Sequence, residues 1–254
     1  MKTIRIIPVY IAMALLTVMS ACSQESGTKN VANKGFAVLE LFTSEGCSSC
    51  PPADALMGQI QEEYKNNDVY VLSYHVDYWD NQGWKDVFGN PDYTKRQYQY
   101  GRWLEVNPVY TPQLVVNGKA QLIGSQAGEV KVAIQGALLT SSSFKTALSL
   151  NAQQQQGSLT IIYTTNATSK NERLLVAVVQ KSAQTNVKRG ENGGRVLKHY
   201  QIVRHLHTAA ITKEGKGNIK LQLPENFNTK DFEVVGFIQD VATGGILGVT
   251  RANL

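Results

Sequence analysis

Two thiols separated by two serines, Cys47-Ser48-Ser49-Cys50, are the residues of this 254-residue chain best suited to chemistry. A CxxC pair can close to a disulfide, open to a dithiol, or hold a soft metal ion through its thiolates. The chain has three cysteines, and the third, Cys22, lies at the end of a segment with the features of an export signal. If that segment is an address, the folded part owns only the two sulfurs of the CxxC. No cysteine then remains for a structural disulfide elsewhere.

A few other side chains have chemical capacity. His75 and Asp77 lie at the carboxyl end of a strand-like run, the edge of a parallel α/β sheet where sites form. Either could handle protons or join a metal site, although a histidine satisfied by hydrogen bonds at a sheet edge is the commoner case. His199, His205 and His207 share parity along a possible strand, but their spacing matches no zinc motif. Arg189-Gly190-Glu191-Asn192-Gly193-Gly194-Arg195 is a charged glycine loop without the spacing or ending of a phosphate-binding loop. A solvated connection is its ordinary role; a cover for the thiol site is the alternative. Tyr78, Trp79 and Trp84 are expected to pack a loop onto the sheet rather than form a peptide-binding rim. No cofactor is implied and no metal ligand set is assigned.

The elements around the CxxC can be read from periodicity. Phe36 to Phe42 is apolar on both faces apart from Glu40, which suits a central strand covered by helices. After the CxxC, Pro51 and Pro52 fall where a first helical turn tolerates proline. Ala53, Leu56, Ile60 and Tyr64 then recur at helical spacing. Val69 to Val76 is a second strand, so strand, helix and strand imply a parallel βαβ unit. Tyr93 to Glu105 is a helix candidate. Asn117-Gly118 between apolar runs predicts a hairpin, with Gln121 to Gly124 as its return strand. Ala127 to Leu139 is a last helix.

That order, βαβ, helix, hairpin, helix, is the thioredoxin topology, and the expected fold class is an α/β thioredoxin-like domain over residues 36–141. Pro112, after Thr111, stands where such folds carry a cis-proline facing the thiols. A thiolate at a helix N-terminus is stabilised by unpaired N–H groups and the helix dipole. Cys47 is therefore expected to be the exposed nucleophile, and Cys50, one turn in, the buried resolving thiol.

From about Phe144 the texture changes to short strands separated by polar turns, among them Gln153–Gln156. The expectation is a mostly β, sandwich-like C-terminal domain over residues 144–254.

The N-terminus reads as an address. Lys2 and Arg5 precede a mostly apolar run to Val18, followed by Met19-Ser20-Ala21-Cys22. Residues 1–21 match a lipoprotein-type signal peptide with Cys22 as the lipidated residue; an ordinary signal peptide cleaved near Ala21 is the alternative. Residues 22–35 are a polar tether, about 20 Å long as a flexible coil. The expected location is the bacterial cell envelope, lipid-anchored on the periplasmic side, with the membrane engaged through lipid on Cys22. Hydrophobic residues make up 43% of the chain, enough for a sizeable core, and the formal net charge is only +5. The charges are scattered, so no nucleic-acid footprint is expected.

ELFTSEGCSSCPPADALM, YHVDYWDNQGWKDVFGNPDYTKRQ, VYTPQLVVNG and RGENGGRVLKHYQIVRHL together resemble a bacterial family of secreted thioredoxin-like proteins, domain-of-unknown-function family 1223. The resemblance implies a thioredoxin-like fold with an extension and an exported location, without an established activity. By thioredoxin-like analogy Cys47, Cys50 and Pro112 are the site residues, with Thr111, His75 and Asp77 as auxiliaries. The leading function is thiol–disulfide exchange on an exported protein or a small thiol. The alternatives are soft-metal (copper) binding by the CxxC, and a partner-binding module in which the pair is structural.

Overall fold

The apolar run that opens the folded chain becomes strand β1 (Ala37–Thr43), with all seven residues buried. The computed structural model describes residues 35–140, 146–155, 157–224 and 226–252. The signal segment, Cys22 and residues 22–34 of the tether lie outside the described residues. Helix α1 (Pro51–Glu63) follows the CxxC and leads to β2 (Val69–His75), which pairs parallel to β1. Helix α2 (Pro91–Trp103) starts where Asn90 caps it by accepting from the N–H of Asp92, with Pro91 in the first turn. Strands β3 (Gln113–Val116) and β4 (Ala120–Ile123) form the expected hairpin. Its turn residues Asn117 and Gly118 both have positive φ, 50° and 66°, as a two-residue hairpin turn of this hand requires. Helix α3 is Ala127–Leu139, as the spacing predicts.

The second half supplies β5 (Leu148–Gln155), β6 (Ser158–Thr165), β7 (Glu172–Asn186), β8 (Val196–Ala210), β9 (Lys216–Gln222), β10 (Phe232–Asp240) and β11 (Ile246–Arg251). Of the glutamines expected in a turn, Gln153 to Gln155 are strand. Gln153, Gln154 and Gln155 pair with Thr160, Leu159 and Ser158 and point to solvent, while Leu150 and Ala152 on the same strand are buried. Polar alternation on a half-exposed strand resembles a loop when only composition is considered.

The chain does not divide at residues 141–144 as expected. One eight-stranded sheet runs β11-β10-β7-β8-β2-β1-β3-β4 through both halves, and residues 33–254 form one compact unit. The joint is β2 against β8, parallel, with Ser73 opposite Ile202. All seven residues of β2 are buried. Left at an edge, β2 would expose unpaired backbone groups beside an apolar strand; β8 covers it.

Helices α1 and α3 cover one face of β1 and β3 through Leu39, Leu41, Met57, Ile60, Val130 and Ile134. The other face is packed by Tyr93 and Tyr100 of α2, and its core continues into Leu175, Val179 and Phe237 of the second half. The sandwich expectation holds in part. The three-stranded sheet β5-β6-β9 packs on β7 and β10 through Leu159, Ile161, Val176 and Val234. One of its two layers is therefore the shared sheet.

Glu40, the exception in the first strand, is fully buried and accepts from Arg96 Nε and Nη2 at 2.6 and 2.9 Å and from Tyr100 Oη at 2.6 Å. Gln239 of β10 donates to the same Tyr100 oxygen at 2.8 Å. A charge inside the sheet is thus paired, and its pairing ties the two halves. Gly118 adds a steric tie: a Cβ there would stand 1.9 Å from the carbonyl oxygen of Gly244.

Candidate functional site

Cys47 and Cys50 form a disulfide in the turn between β1 and α1, with Cα atoms 5.4 Å apart. The helix begins at Pro51, so Cys50 is its N-cap rather than a residue one turn inside it. Cys50 N–H donates to the Cys47 carbonyl at 3.2 Å, and the Cys50 carbonyl accepts from Ala53 and Asp54. Both cysteines are fully buried; Ser48 and Ser49 are the exposed residues of the turn. The expected difference in exposure between the two sulfurs is absent in this oxidised form. In the closed bond each sulfur faces the other, and the turn is also held down from outside.

What holds it is the glycine loop between β7 and β8. Asn192, fully buried, donates through Nδ2 to the carbonyls of Glu45 and Cys47 at 2.9 and 3.0 Å, and Arg195 Nη1 fixes its side-chain oxygen at 2.6 Å. Glu191 accepts from the Ser48 N–H at 3.0 Å. A solvated connection was the simpler expectation for this loop; the hydrogen bonds make it a clamp on the CxxC turn.

The peptide Thr111–Pro112 is cis, as the sequence predicts. Trp79 links it to the sulfur turn: its Nε1 donates to Thr111 Oγ1 at 2.9 Å, and its Cβ lies so close to Gly46 that a Cβ there would stand 2.9 Å away. Trp84 donates to Glu45 Oε2 at 2.7 Å. These aromatic residues pack the long connection onto the site, as expected of them.

Next to the sulfur turn lies a cluster of buried ionisable groups. Glu45 and Asp54 bracket the CxxC in sequence. His199, from β8, places Nε2 3.3 Å from Glu45 Oε1 and Nδ1 3.6 Å from Asp54 Oδ2. Asp54 also accepts from Thr43 Oγ1 at 3.3 Å. His75 at the end of β2 pairs through Nδ1 with Asp86 Oδ2 at 2.7 Å, and the same carboxylate oxygen accepts the Glu45 N–H at 2.8 Å. The rings of His75 and His199 meet edge to face with centroids 4.9 Å apart, and Phe88 packs on both. His75 Nε2, Glu45 Oε1 and both nitrogens of His199 lack a well-formed hydrogen bond.

Burial alone would push the His199 pKa down, but Asp54 and Glu45 beside it outweigh that and hold it up at about 9. Burial pulls Asp86 the other way from its neighbours: His75 and the N–H groups of Glu45 and Phe88 prevail and hold its carboxyl below the ordinary range. Between Glu45 and Asp54 the buried His199 therefore favours its protonated form.

Of the residues singled out from sequence, Cys47, Cys50, His75 and His199 come together here, and Thr111 joins through Trp79. Asp77 does not. It accepts from Thr94 Oγ1, which also takes the Asp77 N–H, and so fastens β2 to α2. His205 and His207 are separated from His199 by a register shift between Val178 and Val179 of the partner strand, and stack on each other with centroids 6.5 Å apart. Glu45, Asp54 and Asp86 were not anticipated. Asp54 in a first helical turn reads as an ordinary dipole partner, and Asp86 sits in a connection with no periodicity. Among the described residues no group of three His, Cys, Asp or Glu is arranged to hold a metal ion, and no helix is long and apolar enough to cross a membrane.

Fold and site together define an α/β protein with a buried disulfide before a helix and a large, mostly β sheet. The chain belongs to the family described as protein of unknown function, DUF1223, whose model matches residues 38–239. It is similar to a protein of Agrobacterium tumefaciens solved by X-ray crystallography, with 26% identity, a TM-score of 0.65, and 85% of this chain and 92% of that one covered. A weaker likeness is to a domain of the outer membrane lipoprotein Omp28 of Porphyromonas gingivalis, at 12% identity and a TM-score of 0.28, covering 44% and 89%. No curated protein matches.

Proposed function

We propose that this is an exported, lipid-tethered thioredoxin-like protein that exchanges thiols and disulfides through Cys47 and Cys50. The thioredoxin-like reading covers residues 36–141. It is supported by the order β2-β1-β3-β4, by the parallel β1–β2 pair joined through α1, and by the antiparallel hairpin β3–β4. The single observation that carries the function is a closed Cys47–Cys50 disulfide at the N-cap of α1, beside the buried side chains of Glu45, Asp54 and His199. The helix N-terminus stabilises a thiolate when the bond opens. In the reducing direction the Cys47 thiolate attacks a substrate disulfide and expels one substrate thiolate, which takes a proton from water. Cys50 then attacks the mixed disulfide, expels the second thiolate and closes the pair. Two electrons pass from the pair to the substrate. The substrate class is an exported protein or a small thiol or disulfide.

The deciding measurement is exchange between the reduced protein and a model disulfide, with the Cys47 thiol titrated alongside. Turnover with a thiol pKa well below about 8.5 is expected, and Cys47→Ser should abolish it. A thiol titrating at its ordinary value, with no exchange, removes the reading; stoichiometric Cu(I) uptake without exchange replaces it with metal holding. Tethering rests on the Met19–Cys22 segment. Cys22→Ala should move the protein from the membrane fraction to the soluble one, and retention in the membrane would disprove the anchor.

A further inference from the structure

The second half of the chain holds no cysteine, yet it places one ionisable side chain inside the sulfur site. Asp54 lies four residues after Cys50, the N-cap of α1; the Asp54 N–H donates to the Cys50 carbonyl at 3.1 Å, and Asp54 is 3% exposed. Glu45 lies two residues before Cys47 and is fully buried. Glu45 and Asp54 thus bring two carboxyl groups into one buried site. His199 lies between them, fully buried.

We propose that His199 is a positioning residue for thiol–disulfide exchange: held between Glu45 Oε1 and Asp54 Oδ2, it fixes the two buried carboxyl groups beside the sulfur turn so that one of them takes the Cys50 proton when the mixed disulfide resolves. The inference rests on the redox reading above. The step balances. Cys50 gives its proton to the carboxylate, its sulfur bonds to Cys47 Sγ, and the substrate sulfur leaves with the electron pair of the broken S–S bond and is protonated by water. The carboxylate later returns its proton to solvent, and in the reverse reaction it protonates the departing Cys50 thiolate.

The surroundings support a charge between the carboxylates rather than a neutral ring. From the loop after β1 comes Glu45, and from α1 comes Asp54. From β2 comes His75, itself tied to Asp86 of the following connection. Arg204 lies over Phe88, with its guanidinium carbon 5.2 Å from that ring centroid, and Arg195 bonds to Asn192. The residue opposite His199 on β7 is Ala183. The two carboxylates are thus the groups that decide the imidazole's charge, and burial without them would favour the neutral form. His75 does not duplicate the role, because its Nδ1 is committed to Asp86.

The experiment uses the full chain, reduced and mixed with an aromatic disulfide that releases a coloured thiol. The first release reports attack by Cys47; the second reports resolution by Cys50. His199→Gln should slow the second release about tenfold or more near neutral pH and change the pH profile of that step. In parallel, the imidazole signal of His199 in the wild-type protein is titrated by NMR in the oxidised and the chemically reduced forms. Its midpoint should differ between them, because coupling between two protonation sites is reciprocal. A folded His199→Gln protein with an unchanged resolution rate and pH profile overturns the proposal. So does a His199 midpoint identical in both redox forms, which decides the matter even if the variant does not fold. If the wild type exchanges with no disulfide yet the midpoint moves on reduction, the redox function falls while the coupling stands.

Discussion

At the scale of single residues, the site is a balance of charges among buried side chains. His199 has its pKa raised from 6.5 to about 9 by Asp54 and Glu45 against the cost of burial. A pKa raised in the folded state adds stability that is complete below the unfolded value and is lost as pH climbs through the folded one. The oxidised protein should therefore lose up to about 3 kcal/mol of unfolding free energy between roughly pH 6.5 and pH 9. His199→Gln should flatten that stretch of the curve. Denaturant melts at several pH values check it, and a wild-type curve already flat through this window would contradict the charged imidazole. Legibility differed sharply between residues. Cys47, Cys50 and Pro112 announce themselves by type and spacing. Glu45, Asp54, Asp86 and His199 do not, because a buried charge is recognised by its partner, and these partners lie as much as 154 positions away along the chain, as Glu45 and His199 do.

At the scale of elements, the turns carry the function and the strands carry the geometry. Helix α1, the hairpin at Asn117-Gly118 and helix α3 were all visible from apolar spacing and turn chemistry. Strand β8 was only glimpsed, since its charged and histidine-rich alternation resembles a polar segment until it is seen paired along its whole length with β7. The loop joining those two strands resembles a solvated connection, as segments rich in glycine and charge usually are; nothing in its sequence distinguishes the buried Asn192 from an exposed one. Asn192→Ala removes the side chain that bonds two carbonyls of the sulfur turn. It should cost about 1–3 kcal/mol by leaving buried acceptors unpaired and should speed alkylation of Cys47 in the reduced protein. Thermal melts and alkylation kinetics on the same variant separate the effects. Lost stability with no change in thiol reactivity would mean that the loop braces the fold without governing access to the sulfur.

At the scale of the whole molecule, the expected division into a thioredoxin-like domain and a β domain is replaced by a single sheet. A local pattern reports which residues will be strand, not which strand a buried one will lie beside, so the β2–β8 joint was invisible. A fragment ending at residue 141 should consequently behave poorly. It leaves β2 as an apolar edge, Glu40 and Arg96 without Gln239, and the sulfur turn without Asn192 or His199. It is expected to aggregate, or to exchange its amide hydrogens quickly throughout β2. A monomeric fragment with protected β2 amides would show that the N-terminal half is autonomous after all.

The joint between β2 and β8 also has a consequence in time. A chain is made from its N-terminus, and early segments collapse before late ones exist. Ser73 must wait for Ile202, and the carbonyl of Cys47 for Asn192. Until more than a hundred further residues have been synthesised, the two sulfurs sit in an unclamped turn, open to whichever oxidant or chaperone meets the nascent chain first. The last strands to arrive close the site that the first ones began.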